Sequence, residues 1–139
     1  MKKLASLRHL LARKLWINFL LGKAMNLIEE LKAKLTMEIR PASHGAEYLE
    51  AVVTLKELDA LHSLLKKHIG PATKKSGGEV FFPKDIKELV DSLGGLRIEQ
   101  SFFYKQEGVE VIYAAIWPWQ SDPDKITLKS GVSKMVSRA

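Results

Sequence analysis

The chain has 139 residues, 46% hydrophobic and 27% charged, and no cysteine. That length fits one domain and the mix is that of a globular rather than a disordered protein. The lack of thiols excludes disulfides, thiolate metal sites and cysteine nucleophiles, and fits a reducing, cytoplasmic setting. The formal charge of +6 is unevenly placed: residues 1–35 carry eight cations against two carboxylates, and residues 36–139 carry fourteen of each. Long-range attraction to phosphate or anionic lipid therefore belongs to the first quarter of the chain.

Residues 3–35 read as a basic amphipathic helix, with Leu4, Leu7, Leu11 and Leu15, then Leu20, Ala24, Leu27, Leu31 and Leu35, recurring at helical spacing. Gly22 marks a candidate break between two shorter helices. The stretch 15–21 is apolar nearly all round but contains Asn18, and it is too short to span a bilayer. Four roles compete for this segment: a helix packed on the core, a surface for self-association or a protein partner, an interfacial membrane helix centred on Trp16 and Phe19, and a targeting segment. The internal methionines Met25 and Met37 are, beside Met1, candidate starts of the natural product. The expected organisation is a helical segment over 1–36, an α+β domain over 37–131 and a polar, fraying tail over 132–139.

Residues 36–45 read as a linker with a short edge strand at 37–40. Residues 47–54 admit strand or helix, and Val52-Val53-Thr54 favours strand. Thr54-Leu-Lys-Glu57 is a capping-box pattern that opens a helix to Ile69, with Leu55, Leu58, Leu61, Leu65 and Ile69 on its stripe and Lys66, Lys67 and His68 in its last turn. Gly70 to Glu79 is a loop. Pro83 suits the first position of a helix through Leu93, closed by Gly94-Gly95. Residues 96–105 and 109–117 form a hairpin that Pro118 ends, and 125–129 forms a further strand. The predicted fold is two-layer α+β: an antiparallel sheet of about four strands with two helices on one face, plus the N-terminal amphipathic helix.

No catalytic constellation survives inspection. Lys74-Lys75-Ser76 lacks the glycines of a phosphate loop, no G-x-S-x-G is present, and the four histidines have no metal-ligand spacing. No cofactor and no metal is expected. Phe102, Phe103, Tyr104, Tyr113, Trp117 and Trp119 crowd one hairpin. Since strand neighbours alternate faces, Phe102 and Phe103 cannot share one core, so one face exposes aromatic surface unless the N-terminal helix covers it.

The leading expectation is a non-enzymatic protein-binding or regulatory module, acting through residues 3–35 and the hairpin, with Trp16, Phe19, Leu20, Trp117 and Trp119 as contacts. The alternative is an RNA-directed protein. Val52-Val53-Thr54 leading into a helix, and the meander from Leu96 to Lys129, resemble the layout of RelE/ParE-type toxins over about residues 47–131. The resemblance implies an RNA partner and carries over no catalytic residue; those toxins are basic on the sheet, whereas residues 36–139 are charge-balanced. Lys66, Lys67, Lys74, Lys75, Arg97 and Lys105 are then the expected phosphate contacts. Membrane-surface attachment by residues 3–21 is a third expectation.

Overall fold

Val111 to Ile116 is buried at every position, so the strand that carries it needs cover on both faces. The computed structural model describes residues 20–78, 80–97 and 99–134. Their elements are helix α1 (residues 20–34), strands β1 (Met37–Ile39) and β2 (Tyr48–Thr54), a 3-10 turn (Leu55–Glu57), helices α2 (Leu58–His68) and α3 (Lys84–Ser92), and strands β3 (Ser101–Glu107), β4 (Glu110–Pro118) and β5 (Lys125–Lys134). The strands form one antiparallel sheet in the order β1-β2-β5-β4-β3.

One face of the sheet presents Leu49, Ala51 and Val53 of β2, Ile126 and Leu128 of β5, Ile112, Ala114 and Ile116 of β4, and Phe103 of β3. Helices α1 and α2 lie on it. The first supplies Leu20, Ala24, Leu27, Ile28 and Leu31, followed by Leu35, and the second supplies Leu61, Leu64 and Leu65, followed by Ile69. These spacings of three and four place one stripe of each helix on the core. Residues 20–35 thus belong to the same core as the strands. On the second face Phe102, Val111, Tyr113 and Ala115 meet Ile86, Leu89 and Val90 of α3.

Several expectations need correction. The sheet has five strands rather than about four, because the short edge strand expected at 37–40 forms as β1 and pairs with β2. The helices of residues 54–69 and 83–93 do not share a face: α2 joins α1, and α3 crosses to the other side. The cause is visible in Phe102 and Phe103, both buried, which point into different cores. Helix α1 runs through Gly22 without a break. Thr54 makes no side-chain cap; instead the Glu57 carboxylate accepts the Thr36 N–H at 3.0 Å, tying the exit of α1 to the start of α2. Regular pairing of the hairpin begins at Ser101 rather than at 96.

The last strand does not fray at Gly131 but pairs with β4 through Lys134. Gly131 is required there. The Glu47 carbonyl accepts the Val132 N–H at 3.1 Å, and a Cβ on Gly131 would overlap that carbonyl oxygen.

Candidate functional site

The two faces are covered unequally, and strand composition explains why. Strand β4 is apolar on both sides, whereas β5 alternates Ile126 and Leu128 toward α1 and α2 with Lys125, Thr127 and Lys129 toward the other face. The second-face core formed with α3 takes its strand residues from β3 and β4. The neighbouring part of that face carries polar and aromatic side chains. One row across the strands reads Glu38, Val52, Thr127, Trp117. The next reads Glu50, Lys129, Ala115, Phe102.

Both tryptophans of the hairpin stand here, each half-buried. Trp119 donates its indole N–H to Thr127 Oγ1 at 2.7 Å, and its backbone N–H to the Lys125 carbonyl at 3.0 Å. Lys125 Nζ lies 5.2 Å from the Trp119 ring centre and the Arg40 guanidinium 6.0 Å from it, within the range at which a cation is drawn to an aromatic face. Lys129 Nζ lies 4.9 Å from the Trp117 ring and donates to the Leu93 carbonyl at 3.1 Å. That carbonyl ends α3, where backbone acceptors lack helical partners and a cation is favoured.

Beside Trp117, a polar cleft of about 590 Å³ runs between the end of α3 and strands β2 and β5, lined by Glu50, Arg97, Gln100, Thr127 and Lys129. Its groups are fixed from below. Buried Gln100 accepts the Arg97 N–H through Oε1 at 2.7 Å. Glu50 Oε1 accepts the Tyr48 hydroxyl at 2.7 Å, and burial, with that carboxylate beside it, pushes the Tyr48 phenol far above its ordinary value. Burial pushes Tyr113 up to about 12. Both phenols therefore stay protonated at neutral pH and do not serve as phenolate bases. Among the described residues, no group of three or more His, Asp or Glu is placed to hold a metal ion. The arrangement presents two half-buried indoles with flanking cations.

The other residues singled out from the sequence fall elsewhere. Trp16 and Phe19 lie outside the described residues. Leu20 is fully buried in α1. Lys66 and Lys67 end α2, and Lys67 is held by Glu30 of α1 at 2.8 Å. Lys74 is buried and donates to the Gln100 carbonyl at 2.6 Å, while Lys75 is exposed in the following loop. Lys105 sits with Lys23 around Glu107 at the hairpin end. Arg97 alone of those six reaches the tryptophan face, where it borders the cleft and pairs with Glu99 at 3.2 Å.

The sequence reading missed Arg40, Glu50, Lys125, Thr127 and Lys129. Its available signal was the alternation of β5, which marks a strand with one wet face. No helix among the described residues is long and apolar enough to cross a membrane. No family model matches the chain, and no curated protein and no solved structure matches it.

Proposed function

We propose that the protein is a non-enzymatic binding module that holds an extended, acidic segment of a partner protein along the tryptophan-bearing part of its sheet. The observation that carries this reading is the pair of pinned indoles, Trp117 and Trp119, ringed by Arg40, Lys125 and Lys129 on a part of the sheet beside the α3 core. Half-exposed tryptophans offer large rigid area at small entropic cost. The cations of this face, Arg40, Arg97, Lys125 and Lys129, outnumber the carboxylates Glu38, Glu50 and Glu99, the last of which pairs with Arg97, which favours an acidic partner. The adjoining strand β1 is an edge of the sheet. An edge offers backbone N–H and C=O groups to an extended chain.

A single-stranded nucleic acid is the second reading, favoured by the pairing of cations with aromatic rings, which single-strand binders use. Self-association through residues 3–35 and membrane contact through residues 3–21 rest now on residues 3–19, since Leu20, Ala24, Leu27, Ile28, Leu31 and Leu35 line the core.

The test is a titration of the full chain, followed by tryptophan fluorescence, with a peptide alternating Glu and Val and with oligothymidylate. Saturable binding of the peptide is expected. Lys125→Glu and Trp119→Ala should each weaken it roughly tenfold, the size of an interfacial anchor. Binding of the oligonucleotide alone, weakening with salt, supports the second reading. Silence toward both overturns the assignment of this face.

A further inference from the structure

Strand register sets Glu50 of β2 directly opposite Lys129 of β5, a placement in which Cβ atoms stand about 5 Å apart and opposite charges attract. Among the described residues, however, no ion pair links the two. Each is turned to a partner of its own. Glu50 Oε1 accepts the Tyr48 hydroxyl at 2.7 Å. Lys129 Nζ donates to the Leu93 carbonyl at 3.1 Å and stands 4.9 Å from the Trp117 ring centre. The parted pair flanks the polar cleft of about 590 Å³.

Both charges keep bonding capacity. An ammonium has three N–H donors, and Lys129 gives one to Leu93. A carboxylate has two oxygens, and Tyr48 occupies Oε1 of Glu50. Two neutral groups of the lining also have a hydrogen to give. Gln100 is only 1% exposed. Its Oε1 accepts the Arg97 N–H at 2.7 Å, but its amide nitrogen donates to no group among the described residues, although the side chain lines the cleft. A buried donor left without an acceptor is costly. Thr127 Oγ1 accepts the Trp119 indole N–H, which leaves the hydroxyl hydrogen to donate. Arg97 is paired with Glu99 and does not enter this balance.

The unfilled groups are therefore donors on Lys129, Gln100 and Thr127 and an acceptor on Glu50, in a cleft whose volume falls within the roughly 300–1,000 Å³ of small-molecule sites. A ligand of single charge answers one member of the parted pair and meets the other as a like charge. We infer that this cleft binds the zwitterionic head of a free α-amino acid with an apolar side chain. The carboxylate takes the hydrogens of Lys129, Gln100 and Thr127, the ammonium donates to Glu50, and the side chain lies against Leu93 and Trp117, the apolar residues of the lining. The inference goes beyond the protein-binding reading, because a residue inside a peptide chain carries neither charge of that head.

Calorimetric titration of the full chain with L-leucine, N-acetyl-L-leucine and L-leucinamide tests it at about pH 6, where the amine of leucinamide is protonated. The two derivatives each remove one charge of the head and keep the side chain. Leucine is expected to bind one to one, at least about tenfold tighter than either derivative. Glu50→Gln, which keeps an acceptor for the Tyr48 hydroxyl, and Lys129→Met are each expected to weaken leucine about tenfold, with circular dichroism checking that the variants are folded. The wild-type comparison decides the matter even where a variant does not fold. No binding of leucine, a derivative that binds as tightly as leucine, or folded variants that bind it like wild type would each overturn the inference. Leucine binding without binding of the acidic peptide would sink the protein-binding reading and leave this one standing.

Discussion

On one face of the sheet, α1 and α2 cover apolar side chains from β2, β5, β4 and β3 with two helical stripes. On the other, α3 meets those of β3 and β4, and the neighbouring rows carry Glu38, Glu50, Thr127, Lys129 and the tryptophans. The difference separates what holds the chain together from what remains available to a partner. Burial on the first face opposes the conformational entropy of folding. On the second face Glu50, Thr127, Lys129 and both tryptophans are only half-buried, so changes there are expected to cost less of the fold.

The largest effect that would break this comparison comes from removing α1. A chain beginning at Met37 lacks Leu20, Leu27, Ile28, Leu31 and Leu35, all buried. At about 1.5–3 kcal/mol for each large side chain, their loss rivals the roughly 5–15 kcal/mol by which a domain is stable. Such a chain is expected to give no cooperative melt by circular dichroism. A normal melt would make α1 an appendage and the two faces alike. Next in size, Phe103→Ala on the covered face is expected to cost about 3–5 kcal/mol in denaturant unfolding, whereas Trp119→Ala costs roughly 1–2. Equal costs would dissolve the distinction between the faces.

Parts of this contrast were legible in the sequence. The helical spacing of Leu20, Ala24, Leu27, Leu31 and Leu35 shows that α1 is a helix with one apolar stripe, but a stripe does not say what it packs against. Helices α2 and α3 each carry one stripe as well, and nothing local assigns them to opposite faces. The constraint lay in the strands: adjacent Phe102 and Phe103, and the unbroken run from Val111 to Ile116, demand two covers. Thr54 and Glu57 imitated a capping box because the pattern is local, while the true partner of Glu57, Thr36, lies 21 residues away. The cationic ring of the tryptophan face was hidden for the same reason. Arg40, Lys125 and Lys129 come together through strand register, which no spacing along the chain displays.

Two smaller predictions sharpen the picture. Gly131→Ala forces a methyl group toward the Glu47 carbonyl oxygen and is expected to cost about 1–3 kcal/mol in urea unfolding, as other overpacking does. It should disturb the start of β2 and spare α3, which amide hydrogen exchange would resolve. Lys129→Met removes the cation that meets both the Leu93 carbonyl and Trp117. It is expected to cost about 1 kcal/mol and to loosen the end of α3. An unchanged exchange rate at Gly94 and Gly95 would show that the lysine does not hold the helix down.

The smallest expected effect belongs to the ion cluster that joins α1 to α2 on the covered face. Glu30 accepts Lys67 Nζ at 2.8 and 3.0 Å and Lys34 Nζ at 3.3 Å, and its Oε2 lies 3.3 Å from His68 Nε2. The Lys67 hydrogen bond is the chief cause that lowers its carboxyl to about 2, against the opposing effect of burial, with His68 and Lys34 adding to the lowering. A carboxylate whose folded pKa is depressed stabilises the fold above its unfolded pKa of about 4.3, and that contribution is lost as pH falls through the folded value. The difference in Tm between wild type and Glu30→Gln should therefore be constant from neutral pH to about 5, then shrink toward zero near pH 2. Salt should shrink it as well, because the lysines are exposed and pairs of this kind are screened. A difference that persisted at pH 2 would show that it does not come from the charge of the carboxylate.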